Sequence, residues 1–381
     1  MKILKGYVFR LYPNIEQETL INKTIGSTRF IYNNFLRDRI DTYNNTKKDK
    51  SAYDQNIMIP ELIIKYPFLS DVDGCSLRNA SYDLENAYNH FFKQGGFPKF
   101  KAKGVKESYK TNNMVSTYKG KTYNSIELDL EKRLIKLPKL KWVKIRGYRN
   151  KEKINGIIKS AVIRRYAGKH YVSVLVEEEI SKPIFTPRNI IGIDLGIKDL
   201  IVTSYNEKIK NTIKDRSKKL KGLQRALFRC KPGSKNRYKI KLKIQRLWQK
   251  IKNARKHLIH DITNKLIKEN DIIACENLNV KSMYKDHNIA KNLNSNPISE
   301  IIRVLKYKAE WYGKKIIQID RYYPSSQKCS VCGFQNKEIK NLSIRKYECP
   351  KCHTEHDRDF NASVNIMFEG LKIYMKEIEQ F

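Results

Sequence analysis

The chain has 381 residues, with 77 Lys or Arg against 39 Asp or Glu, a formal charge of +38. A hydrophobic share of 40%, with 23 Tyr and 14 Phe, provides material for folded cores and excludes a disordered basic tail. A mean hydropathy of −0.63 and the lack of any long uncharged apolar run exclude a transmembrane segment.

The charge also selects a partner. A surface this positive repels itself unless a polyanion is bound. Its cations are spread along the chain, not gathered in one polybasic membrane-binding segment. Nucleic acid is therefore the expected partner, with no membrane. Met1-Lys2-Ile3-Leu4-Lys5-Gly6 breaks its apolar residues with charge too early for a signal peptide. The seven cysteines accordingly read as reduced thiols or metal ligands.

In chain order, the first element is a strand from Leu4 to Tyr12, closed by Pro13. Asn14 and Gln17 have capping-box spacing, which starts a helical region reaching about Phe92. Its clearest piece is Leu77, Ala80, Leu84, Ala87 and Phe91, ended by Gly95-Gly96. Beyond Pro98 the period changes: Ile126, Leu128 and Leu130 alternate, as do Val143 with Ile145, and Val172, Val174 and Val176. The expectation is a small β-barrel with the helices inserted between its first strand and the rest.

After Pro183 and Pro187 a second domain begins. Ile190–Asp194 is an apolar run of the kind buried at a sheet centre, with Leu200-Ile201-Val202 as hairpin partner. Ile272–Glu276 and Ile316–Ile319 are further short strands. Between Lys214 and Lys256 there are 18 Lys or Arg and one acid, Asp215. Ile240, Ile244, Leu247, Ile251, Ala254 and Leu258 keep helical spacing there, so a long helix packs one face and presents a cationic one to phosphates. Candidate contacts on this run are Lys218, Lys219, Arg225, Lys235, Arg237, Lys239, Lys243, Arg246 and Lys250.

Two C-x2-C turns, Cys329/Cys332 and Cys349/Cys352, stand 16 residues apart, the spacing of a four-cysteine structural Zn²⁺ site. His353 could replace one ligand, but four sulfurs already fill the shell. Asp194 and Glu276 end apolar strands, and Asp357 and Asp359 precede a closing helix. Singly, each reads as a cap or ion-pair partner. Together they offer hard oxygen ligands that can hold two divalent cations about 3.5–4 Å apart at a phosphodiester.

Ile191–Gly196, Cys275–Leu278, the two cysteine turns and Asp357–Ala362 follow in the order seen in the TnpB family. Arg29–Asn33, Phe97–Lys101, Gly233–Asn236 and Tyr323–Ser326 match as well, so nearly the whole chain resembles these transposon-encoded, RNA-guided DNA endonucleases related to type V CRISPR effectors. The resemblance implies an α+β multidomain fold. A β-barrel wedge with an inserted helical recognition lobe (1–187, lobe about 13–95) would precede an RNase H-like, RuvC-type nuclease domain. That domain would span 188–328 and 353–381, interrupted by a zinc finger at 329–352. It implies Asp194, Glu276 and Asp359 as the acids holding Mg²⁺ or Mn²⁺, and guide RNA and double-stranded target DNA as partners. By position, Tyr53, Arg78 and Asn79 are candidates to read a short motif beside the target. The expected location is cytoplasmic, and nucleoid-associated if the host is bacterial or archaeal. His353 stands where the family often has Gly, and Ser363 where it often has Ala. The competing readings are a nuclease-inactive RNA-guided regulator, a structure-specific resolvase and a zinc-finger transposition accessory protein.

Overall fold

The computed structural model describes the chain except for residues 94, 106, 148–153, 182, 184, 186, 280–295, 342 and 381. It divides into two compact units, Met1–Ile180 and Ser181–Phe381. The division falls a few residues before the boundary expected at 187/188.

In the first unit, β1 (Lys2–Tyr12) is followed by four helices: α1 (Ile15–Thr46), α2 (Ala52–Ile57), α3 (Ile59–Lys65) and α4 (Gly74–Lys93). Strands β2 (Ser108–Asn112) to β9 (Lys169–Glu179) complete it. The order in its seven-stranded sheet is β2-β8-β9-β1-β7-β6-β5, with β8 at Ile157–Tyr166, β7 at Lys141–Arg146, β6 at Leu134–Leu137 and β5 at Glu127–Asp129. The helices therefore interrupt a sheet whose first strand lies at its centre. β1 and β9 pair from Lys2↔Glu179 to Leu11↔His170, and alternation along β9 buries Val172, Val174 and Val176. The edge strands β2 and β5 meet at the base of the hairpin β3 (Val115–Tyr118) and β4 (Lys121–Asn124). There Ser125 N donates to Met114 O at 3.0 Å, and Ile126 N to Asn113 Oδ1 at 3.0 Å.

The Asn14/Gln17 capping box forms as its spacing requires. α1 is long enough to serve two cores. Ile21 and Ile25 join the sheet core, whereas Ile31, Phe35 and Leu36 pack with Leu77 and Leu84 of α4.

The second unit is built on a five-stranded sheet ordered β12-β11-β10-β13-β14. Its strands are β10 (Ile190–Asp194), β11 (Ile201–Thr203), β12 (Lys208–Ile209), β13 (Ile272–Glu276) and β14 (Lys315–Ile319). The first three run antiparallel, and β10, β13 and β14 are parallel. The β10 and β13 runs are uninterruptedly apolar because both faces are covered. Ile191, Ile193, Ile273 and Cys275 pack in one core with Ile259, Ile262 and Leu266 of α6 (Lys235–Glu269) and Ile301, Val304 and Leu305 of α7 (Ile298–Tyr312). On the opposite face α8 (Arg358–Glu379) approaches closely. A Cβ on Gly192 would lie 2.1 Å from Ser363 O, and one on Gly370 would lie 2.4 Å from Ala274 Cβ. The glycine inside the β10 run is thus the condition for α8 to lie on it.

The basic run forms two helices, α5 (Ser217–Arg229) and α6, separated by a turn at Gly233 (φ +79°) and capped by Ser234, whose Oγ accepts from Arg237 N. The apolar stripe continues past Leu258 to Ile267, so α6 extends farther than the charge run does.

Candidate functional site

Period-two geometry places the acids. Ile193 and Cys275 are register partners on parallel neighbours, so Asp194 and Glu276, one residue on, leave the sheet side by side. Both fall on the parity of Gly192 and Ala274, the α8 face. α8 starts at that edge with Asp359 in its first turn. The electrostatics agree: burial first, then the charges of Glu276 and Asp359, push the Asp194 carboxyl from 3.8 up to about 8, against the opposing pull of Arg358. Three acids from distant parts of the sequence therefore share one field.

Asp357 and Asp359 are separated by their partners. Asp357 is the helix N-cap: its Oδ1 accepts from the Asp359 and Phe360 amides, each at 3.2 Å, and its Oδ2 accepts from Lys208 Nζ at 2.6 Å. Burial would raise its carboxyl, but these donors hold it below the ordinary value. Asp359 instead faces Arg345, whose guanidinium NH1 lies 3.3 and 3.2 Å from its two oxygens. Glu276 Oε1 accepts a 2.5 Å hydrogen bond from Ser325 Oγ. Among the described residues, only the four cysteines bring three or more potential ligand atoms within 4.8 Å of one another, so the acids stand farther apart. The buried Asp194 carboxyl, the acidic neighbours that push it up further and the hard oxygen donors fit a divalent cation such as magnesium or manganese.

The cysteines are gathered differently. The two turns repeat one hydrogen-bond pattern. Cys329 N donates to Phe334 O (2.8 Å) and Gly333 N to Cys329 O (2.9 Å), while Cys349 N donates to Thr354 O (2.9 Å) and His353 N to Cys349 O (2.9 Å). Across the turns, Cys329 and Cys352 Sγ are 3.7 Å apart, and Cys332 and Cys349 Sγ 3.6 Å. Four sulfurs about 2.3 Å from a tetrahedral zinc would be about 3.8 Å from each other, so the donor set fits. The Thr354 hydroxyl and backbone amide pull the Cys352 thiol down to about 6, and buried His356 places Nε2 3.1 Å from Cys329 Sγ. His353 is no ligand substitute: its Nδ1 pairs with Glu348 at 2.8 Å. Its φ of +55° is the left-handed conformation for which glycine suits the matching Gly333 (φ +74°).

The candidate nucleic-acid residues divide by environment. Lys218, Lys219, Arg225, Lys235, Lys239, Lys243, Arg246 and Lys250 are exposed along α5 and α6, beside exposed Phe228, Tyr238 and Trp248. Arg237 is used internally, its NH1 donating to the Leu227 and Cys230 carbonyls that end α5. In the first unit Tyr53 and Arg78 are exposed, but Asn79 is buried, its Nδ2 donating to Cys75 O at 2.8 Å. Asn79 lines a 330 Å³ cavity with Arg29, Tyr32 and Lys101, to which Tyr53 and Arg78 do not contribute.

Ser325 and Arg345 are contacts to the acids that motif spacing did not single out. Ser325 enters the sequence pattern only within the Tyr323–Ser326 stretch, and nothing local shows its hydroxyl reaching an acid 49 positions away. Arg345 lies between the cysteine turns, where one cation among several carries no signal.

Comparison with known proteins agrees with this architecture. Residues 172–286 match the OrfB_IS605 family, described as "Probable transposase", residues 299–366 the Cas12f1-like TNB domain, and residues 1–48 a helix-turn-helix domain found with OrfB_IS605. A Streptomyces pristinaespiralis protein named as an RNA-guided DNA endonuclease is 30% identical across 97% of this chain and 90% of its own. InsQ of Escherichia coli K12, named likewise, is 30% identical across 97% and 93%. The protein in a cryo-electron microscopy structure of a Cas12f1–sgRNA–target DNA complex shares the fold at a TM-score of 0.53 and 16% identity, over 96% of this chain and 99% of that one.

Proposed function

Since this chain belongs to the TnpB family and is an RNA-guided DNA endonuclease of a transposable element, we propose that Asp194, Glu276 and Asp359 form its cutting site. The observation carrying this reading is their convergence at one sheet edge, where burial and then the charges of Glu276 and Asp359 hold the Asp194 carboxyl at about 8. The 3-2-1-4-5 order of the five-stranded sheet, antiparallel in its first three strands, supports an RNase H-like domain. Magnesium or manganese, when bound, polarises the phosphodiester and lowers the pKa of bound water. The acids orient and hold that charge, and Asp357 keeps α8 capped so that Asp359 stays at the site. Cys329, Cys332, Cys349 and Cys352 hold a structural zinc. The seven-stranded sheet and its inserted helices act as barrel-like wedge and recognition lobe, with Tyr53, Arg78 and Asn79 near the target-adjacent motif. The cationic faces of α5 and α6 track phosphates, while base pairing with the guide reads sequence.

The test is cleavage of guide-matched DNA by protein purified with and without its co-purifying RNA. Cutting only with RNA and Mg²⁺ supports the reading; RNA-independent cutting contradicts it. Reversing Lys239, Lys243, Arg246 and Lys250 to Glu should lower the log–log salt slope of RNA or DNA binding by about 3–4, at about 0.9 per phosphate contact. An unchanged slope would make that face merely solvated.

A further inference from the structure

We propose that Asn361, Asn365 and Ser325 couple the cysteine turn at Cys329 to Glu276, so that zinc occupancy sets how tightly the acids hold their divalent cation. The inference rests on the nuclease reading of those acids. Asn361 and Asn365 lie one turn apart on the buried face of α8, at 0% and 4% exposure. Asn361 grips the chain on both sides of Cys329: its Nδ2 donates to Lys328 O at 2.7 Å, and its Oδ1 accepts from Ser330 N at 2.9 Å. Asn365 Nδ2 donates to the same Lys328 carbonyl at 2.6 Å and to Ser325 O at 2.8 Å. Ser325, itself buried, then donates its hydroxyl to Glu276 Oε1.

Three buried side chains thus connect a zinc ligand's own turn to a cation-holding acid without passing through solvent. Releasing any one buried donor or acceptor leaves it unsatisfied at its full desolvation cost, so the connection moves as a unit. Its two ends are unequal. Without zinc, Cys329 is held by its turn hydrogen bonds, by the Asn361 contacts on either side of it and by the His356 ring beside its sulfur; zinc would add four sulfurs from both turns that lock its position and that of the Lys328 carbonyl beside it. At the other end, the Ser325 hydroxyl fixes one Glu276 oxygen and leaves Oε2 to the cation. Ser325, Asn361 and Asn365 are positioning residues: they act through Glu276. Partners that orient a ligating carboxylate typically change metal affinity 10–100-fold when removed.

The experiment is Mn²⁺ binding to the full-length protein, read by the electron paramagnetic resonance signal of free Mn²⁺. Ser325→Ala should bind Mn²⁺ at least about 10-fold more weakly with its zinc content unchanged. Stripping zinc should weaken Mn²⁺ binding to the wild type and leave Ser325→Ala little further affected, as one shared path requires. Equal Mn²⁺ affinity in Ser325→Ala and wild type overturns the coupling, as does zinc stripping that weakens both alike. Asp194→Ala separates this from the underlying reading: if Asp194→Ala binds Mn²⁺ as wild type does, the acids are not the cation site. Hydrogen exchange on the wild type needs no variant. Zinc removal should deprotect residues 325–328 and 276–278 together, and loss of protection confined to the cysteine turns would contradict the proposal.

Discussion

Two groups of metal-ligand residue types lie within the same unit, and they reach their geometry by opposite routes. The four cysteines come from two local turns, and their sulfurs already stand at 3.6–3.7 Å, close to the spacing a tetrahedral zinc requires. The three acids come from positions 194, 276 and 359, stand farther apart, and leave the Asp194 carboxyl pushed up by burial and by its acidic neighbours, only partly offset by Arg358. A structural site closes around its ion through local hydrogen bonds. The proposed cutting site holds its acids apart and leaves their charge for a cation to neutralise.

The sharpest way to break that contrast lies within one helix start. Asp359→Ala should lower cleavage by at least about 10³-fold, as the loss of several kcal/mol of charge stabilisation requires. Asp357→Ala should lose a helix cap and the Lys208 ion pair, about 1–2 kcal/mol of stability, and keep substantial cutting. Single-turnover cleavage and thermal melting of the two variants decide between them; the reverse ranking would make Asp357 the metal acid.

The next effect concerns folding. Cys349→Ser should release the zinc and unfold about residues 325–356, because binding energy of order 10 kcal/mol in zinc-finger peptides is folding energy. Elemental analysis with hydrogen exchange checks it. A variant that keeps one zinc per chain and full protection would show that three ligands suffice.

Acidity distinguishes the two sites further. A carboxyl raised to about 8 in the folded state keeps a proton that the unfolded chain releases near 3.8, so ν_N exceeds ν_U across that interval. Metal-free protein should therefore lose stability as pH rises from about 4 to about 8, and Asp194→Asn should flatten that part of the profile. Melting in EDTA across this range measures it, and parallel profiles for both proteins would refute a raised Asp194 carboxyl.

The smallest effect compares the two turns. His353→Gly relieves a left-handed histidine (φ +55°), offset by the extra backbone freedom of glycine. The net gain should be up to about 1 kcal/mol in zinc-dependent melting, and a loss would mean the exposed Glu348 contact outweighs the backbone strain.

What the sequence made legible follows the same division. Ile190–Asp194 and Ile272–Glu276 are strands with the expected bounds, since an apolar run covered on both faces has little freedom to end elsewhere. The cysteine pairs are legible because spacing within a turn is local. Asp194 and Glu276 stood out as acids ending apolar strands, whereas the choice of Asp359 over Asp357 came from resemblance. In the structure two amides and Lys208 occupy Asp357, while Asp359 faces Arg345. Ser325, Arg345, Asn361 and Asn365 act across tertiary contacts that have no periodicity, so spacing alone gave no sign of their partners. Arg237 shows the converse: its position in a cationic run resembles a phosphate contact, yet it satisfies the end of α5.

The most direct measurement loads wild-type and Asp194→Ala protein with the same guide RNA and follows matched DNA in Mg²⁺, recording binding and single-turnover cleavage together. Equal guide-dependent binding with cutting abolished in Asp194→Ala is the expected result, since binding rests on base pairing and the cationic surface while the acids act only at the phosphorus. Cleavage by Asp194→Ala at the wild-type rate would place the cutting site elsewhere and contradict it.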